Sequence, residues 1–391
     1  MAGRLKQLRL ARGMSLEGLA AEMGGIVTKQ ALSKYELGLS KPSPVVLNRL
    51  AQALGVKAVY LWSEPSINCR FIAYRKGSGL AKGEEQRVES VVCQMLEDRV
   101  RLQEMIQGTT KMDFPIKEFK PNTLDDVEGF AKTLREEWAL GLGPISTITD
   151  TLEDHLVHVF EIEASERFDG ISALAYDSEE NIAAAAVVSR KHLPGGRQRL
   201  NLAHELGHLV LDTPESVDEE KAAFRFAGAF LAPDESLFRD LGQKRSMVQT
   251  VELLLLKQKY GMSIQALVYR LHDLGIISDQ HNRQWWTTIN REGWRKEEPS
   301  ELKPEKSEWL KKKVLRALSE GLITKGDAMK LLGEPVDAQE PITLVERQAF
   351  LKLPMEERRK IMAKQAREMA AEYKQGMVED LETGEIVVSS C

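Results

Sequence analysis

Residues 195–212, GGRQRLNLAHELGHLVLD, decide how the middle of this chain is read. Leu200, Leu202, Ala203, Leu206, Leu209, Val210 and Leu211 recur around His204 and His208, and the run stops at Thr213-Pro214, so the spacing predicts one helix ended by proline. Histidines four residues apart leave the same helix face one turn from each other, so both imidazoles can reach one metal ion. Glu205 stands beside them, placed to hold a water, and zinc is the expected cofactor of such a site. The implied chemistry is hydrolysis.

A tetrahedral catalytic zinc takes a third protein ligand and leaves its fourth position to water, whose pKa it lowers to about 7. The following segment, EEKAAFRFAGAFLAP, reads as a second helix ended near Pro233. Glu220 opens it on the face that carries Ala223, Ala227 and Phe230, and is the expected third ligand. Glu219 and Asp218 are close alternatives, and Asp212 is another, although it abuts the proline break where helical register is lost. Tyr176, Arg197 and Arg199 lie near enough in sequence to serve as an oxyanion donor. The structural reading is preferred for each: Tyr176 as a strand-end core residue, the arginines as surface charges at a helix start.

Ahead of the motif, HLVHVFEIE, ISALAYD and NIAAAAVVS are short apolar runs expected to form one small sheet, the alanine-rich third being compatible with a helix as well. Glu84 to Leu140 is largely helical in pattern, and VELLLLKQKY and SIQALVYRLHDLG add further helices beyond Pro233. Residues 280–308 turn polar and proline-bearing and are expected to be a linker. Residues 309–391 are expected to be a helical C-terminal region, with an amphipathic helix presenting Ile361, Met362, Ala366, Met369 and Tyr373.

The chain has 391 residues, 42% apolar and 29% charged, which fits a globular protein of two or three units. No stretch approaches the roughly 20 apolar residues of a membrane span. MAGRLKQLRLARG carries four basic residues without an apolar run behind them, so no signal peptide is expected, and a cytoplasmic location is. Cys69, Cys93 and Cys391 are odd in number and widely spaced, which argues against a disulfide framework and against a cysteine metal site. The net charge of −5 conceals a basic N-terminus. Up to Trp62, Arg4, Lys6, Arg9, Arg12, Lys29, Lys34, Lys41, Arg49 and Lys57 face only Glu17, Glu22 and Glu36, a balance that suits phosphate contacts.

That N-terminal segment reads as short helices near Gly3–Arg12, from Ser15, near Thr28–Glu36 and after Pro44, with Ser15 as a helix cap. Leu16, Leu19, Ala20 and Met23 give one helix an apolar face, and Gly24-Gly25 turns into the next, whose Thr28, Lys29, Gln30, Ser33 and Lys34 are the candidate DNA contacts. Gln30 suits adenine, and the two lysines suit guanine edges or phosphates. From Gly3 to Trp62 the sequence resembles the XRE, or lambda-repressor-like, helix-turn-helix family. Leu16 stands where that family commonly has a glutamine, which removes one phosphate contact. A protein-interaction or dimerisation role for this segment is the alternative.

RQRLNLAHELGHLVLD followed by EEKAAFRFAGAFLAP resembles the ImmA/IrrE family of metallopeptidases, and the similarity runs from about Glu84 to Ile277. The resemblance implies His204, His208 and Glu220 as zinc ligands, Glu205 as general base, and a zincin-like α+β domain that cuts a partner repressor. Phe224 and Ala232-Pro233 depart from the family's usual Asn and Met-Pro without touching a ligand. The tail from Phe350 to Tyr373, with DLETGEIV after it, resembles a segment of some toxin-antitoxin components.

The expected architecture is mainly α: an all-α helix-turn-helix over 1–63, the metallopeptidase domain over 84–279, the linker and the helical tail. The expected function is a DNA-binding transcriptional regulator with a zinc endopeptidase that cleaves a repressor or antitoxin, acting away from membranes and as a homodimer, since half-sites come in pairs. The alternative is a non-catalytic regulator in which metal or ligand in the same pocket switches DNA affinity.

Overall fold

The first helix, α1 (Ala2–Ala11), is followed by three helices that are opened by hydroxyl caps. Ser15, Thr28 and Ser43 accept hydrogen bonds from the N–H three residues on, at 2.9, 3.2 and 3.4 Å, and start α2 (Leu16–Glu22), α3 (Lys29–Glu36) and α4 (Pro44–Ala53). Gly24 and Gly25 both take φ of +71°, which makes the tight left-handed turn between α2 and α3. With α5 (Ala58–Trp62) these helices enclose Leu5, Leu8, Leu19, Met23, Leu32 and Leu50 in a core of their own. Arg9 reaches from α1 to grip Glu36 at the end of α3 with two bonds of 2.6 and 2.8 Å.

The computed structural model describes residues 1–73, 80–107, 116–336, 352–360 and 362–363. Beyond α5 come β1 (Asn68–Ala73), α6 (Lys82–Gln107), α7 (Asp126–Glu137), α8 (Ile148–Asp154), β2 (Val157–Ile162), β3 (Gly170–Tyr176) and β4 (Ile182–Arg190). Then follow α9 (Gly195–Val210), α10 (Glu219–Leu231), α11 (Asp234–Leu241), α12 (Thr250–Tyr260), α13 (Ile264–Asp273) and α14 (Asp279–Arg291). The strands form one sheet in the order β1-β3-β4-β2, with β2 parallel to β4 and the other pairs antiparallel. The chain is therefore mainly α with a small sheet, and the alanine-rich run is a strand.

Alternate residues of the strands enter two separate cores. Val157, Val159, Leu174, Ala185 and Val187 face α9 and α10, while Phe160, Ile162, Ala173, Ala184, Ala186 and Val188 join Val88, Val92, Leu96 and Val100 of α6. A strand buried on both faces needs small side chains where helices press close, which accounts for the Ala183–Ala186 run of β4.

Three sequence expectations are corrected. The sheet has a fourth strand, β1, drawn from before residue 84: Asn68 lies opposite Tyr176, too far along the chain for local pattern to reveal. Residues 280–308 are not a spacer, because α14 sends Trp285 and Ile289 into the main core and the segment after it packs back on α12, α13 and α9. There, Glu298 bonds Lys257 at 3.0 Å and the Ile264 amide at 2.7 Å, and Leu302 accepts from the Gly195 amide at 2.9 Å. Finally, Cys69 of β1 and Cys93 of α6 form a disulfide with Cα atoms 5.9 Å apart, since packing sets that strand against that helix.

α1 also docks on α6. Arg4, 1% exposed, makes a two-pronged ion pair with Glu97, which further accepts from the Ser66 amide at 3.0 Å. Burial by itself would raise the Glu97 carboxyl, but the bonds from Arg4 and Ser66 outweigh it and leave the pKa below its ordinary 4.5. Tyr60, packed on the Arg4 guanidinium at 4.5 Å, is pushed up to about 12 by burial and by Glu97.

Met1–Val314 and Leu315–Cys391 are two compact units. The second contains α16 (Lys325–Leu332), with α15 (Trp309–Ser319) running across the boundary. Of the amphipathic tail helix only Met362 is described, and Ile361, Ala366, Met369 and Tyr373 lie outside the described residues. Among the described residues, no helix is long and apolar enough to cross a membrane.

Candidate functional site

His204 and His208 sit one turn apart on α9, 6% and 3% exposed at their side chains. Their Nε2 atoms are 3.1 Å apart. Glu220, in the first turn of α10, brings Oε2 to 3.5 Å from His204 Nε2 and Oε1 to 3.6 Å from His208 Nε2. One ligand atom from each of the three lies within 4.8 Å of the others.

These separations can be tested against a metal. Four ligands arranged tetrahedrally at about 2.0–2.2 Å from zinc stand roughly 3.3–3.6 Å from one another. Two imidazole nitrogens 3.1 Å apart, with one Glu220 oxygen 3.5 Å from the first and the other oxygen 3.6 Å from the second, come near that spacing and have that donor chemistry, so the residues fit the ion.

The glycine within the motif makes this convergence possible. A Cβ on Gly207 would stand 3.2 Å from the Ala223 Cα and 3.3 Å from its carbonyl oxygen, so the absence of a side chain is what lets α10 lie against α9 and carry Glu220 to the histidines. Phe224 follows on α10 and tilts its ring against His204, 4.2 Å between centroids.

The rivals for the third ligand have other places. Asp218 caps α10 by accepting from the Lys221 amide at 3.0 Å, and Asp212 pairs with Lys120 at 3.3 Å. Glu219 approaches the far nitrogen of His208, Nδ1, at 3.5 Å. The oxyanion candidates have other partners: Arg70 stacks on Tyr176 at 4.2 Å, Arg197 pairs at 2.8 Å with Asp169, and Arg199, buried and not the surface charge expected, bonds Glu305 and the carbonyls of Ile145 and Ser146.

Glu205 is 6% exposed and faces β3, where Ser172 Oγ lies 2.7 Å from its Oε2. The recess between β3 and the two helices is lined by Asp169, Gly170, Asn201, His204, Glu205, His208 and Glu220, and at about 10 Å³ is on the scale of one water. Asp169, Gly170, Ser172 and Asn201 were not legible as site residues. The available signal was Asn201 itself, one turn before His204 and Glu205 on the same helix face.

At the other end of the first unit, Thr28, Lys29, Gln30 and Lys34 are exposed along α3 and Ser33 is half-buried. Thr28 Oγ1 is occupied in part as the helix cap, and Lys29 pairs with Glu17 at 2.7 Å across the surface. The basic excess read from sequence shrinks in three dimensions, because Arg4 and Arg9 are buried against Glu97 and Glu36. Lys6, Lys34, Lys41 and Arg49 remain as exposed cations.

A family model described as helix-turn-helix matches residues 5–61, and one described as IrrE N-terminal-like domain matches residues 157–272. No curated protein matches the chain.

Proposed function

The chain joins a helix-turn-helix domain of the XRE type to an ImmA/IrrE-type peptidase-family domain, and from that premise we propose that it is a transcriptional regulator with a working zinc endopeptidase. The observation that carries this reading is the convergence of His204, His208 and Glu220 at separations of 3.1, 3.5 and 3.6 Å. In it, those three residues hold zinc, which when bound supplies a Lewis acid for activating water and polarising a peptide carbonyl. Glu205 takes the proton of the attacking water as general base and passes it to the leaving amine. Thr28 at the cap of α3 and Lys29, Gln30, Ser33 and Lys34 within it face the major groove, and a second copy of the chain occupies the paired half-site. The substrate is a protein partner, a repressor or antitoxin, met in the cytoplasm.

Purified wild type is expected to carry about one zinc per chain by elemental analysis, lost in both His204→Ala and Glu220→Ala. Glu205→Gln is expected to keep the metal and to cut hydrolysis of the partner at least about 100-fold. A second reading keeps the same three ligands without hydrolysis. There the metal acts as a sensor that changes DNA affinity, and Glu205→Gln leaves the regulatory output intact.

A further inference from the structure

We propose that Gly170 and Ser172 of β3 form a seat for the Glu205 carboxylate, with Ser172 as a positioning residue for the base; this rests on the hydrolytic reading above. The two are separated by one residue, so the strand period places both on the face toward α9. Ser172 is fully buried, and its hydroxyl donates to Glu205 Oε2 at 2.7 Å. Gly170 leaves the room for the second oxygen. A Cβ there would lie 2.7 Å from Glu205 Oε1 and 2.9 Å from the Val188 carbonyl oxygen, so the carboxylate occupies the volume that any other residue would fill.

The seat therefore holds one end of the carboxylate and makes room for the other: Oε2 against a hydroxyl, Oε1 beside the Gly170 backbone in the recess shared with His204, His208 and Glu220. Glutamate has several rotatable bonds, and a base that wanders by about 1 Å can lose on the order of 100-fold in rate. Holding it from a strand of the sheet removes that freedom before substrate arrives.

The same hydroxyl lies 2.9 Å from the Glu205 backbone oxygen, and one proton cannot serve both acceptors. A role confined to the backbone oxygen would be structural, and a double-mutant cycle separates the two. In the metal-free full chain, Ser172→Ala is expected to lower Tm by a few degrees, and Glu205→Ala to remove most of that effect, leaving the pair non-additive by about 2 °C or more. Additive shifts would overturn the seat. Should Ser172→Ala fail to fold, Ser172→Cys, of similar volume and weaker donor strength, enters the same cycle.

In the zinc-loaded chain, with a fluorogenic peptide that wild type cuts selected from a library as probe, Ser172→Ala is expected to lower kcat about tenfold with KM and zinc content unchanged, and Ser172→Thr to restore it. An unchanged kcat beside a coupled cycle would overturn the positioning role. Coupling in the cycle with no library peptide cut by wild type would support the seat and count against the peptidase reading instead.

Discussion

Helices α3 and α9 carry the two chemistries proposed for this chain in opposite ways. Of the eight residues of α3 only Leu32 is buried, and its lysines stand in solvent. α9 buries thirteen of sixteen, both histidines and the glutamate among them. A helix that reads a groove must keep its polar side chains accessible until the duplex displaces water, whereas a metal and a base held in one geometry need neighbours on every side. The first is vulnerable to a change of charge and the second to a change of volume.

The sharpest way to break the contrast is to treat α1 as though its arginines were surface residues. Arg4→Met leaves Glu97 buried without its cation and is expected to destabilise the first unit by about 3–5 kcal/mol, seen as a fall in Tm or in the denaturant midpoint. The pair also sets a pH dependence. Because the folded Glu97 pKa lies below 4.5, its contribution is complete above that value and is lost as pH falls through the lowered pKa, so wild type should lose more stability on acidification than Glu97→Gln.

Next in size, Gly207→Val drives a branched side chain into Ala223 and is expected to cost about 1–3 kcal/mol of stability, seen as a fall in Tm, while also lowering zinc content, because the helix that carries Glu220 is displaced. The smallest effect belongs to α3. Lys34→Ala should leave Tm unchanged and reduce the slope of log binding constant against log salt by about 1 on duplex DNA. A measurable fall in Tm would mean that α3 is tied into the fold as α9 is.

The same contrast marks what could be read from sequence. The approach of Glu220 to His204 and His208, the cap Ser15 and the Gly24-Gly25 turn were legible, because each is a local pattern with a local consequence. What stayed hidden was non-local. β1 finds its partner more than a hundred residues away, Gly170 and Ser172 look like ordinary members of an alternating strand, and Cys69 and Cys93 meet only because β1 lies on α6. Charge counting went wrong for a related reason: Arg4 and Arg9 add to a basic total in sequence, yet in the fold they are consumed by Glu97 and Glu36.

The buried ion pair between α1 and α6 makes the helix-turn-helix a mount rather than a tethered bead. For a chain seated on a duplex through α3, the recess on α9 then points at a fixed bearing around the helix axis. Under the proposed function, a partner held on the same duplex would meet it only in matching helical phase, and inserting about five base pairs between their sites, half a turn, would carry the partner to the opposite side.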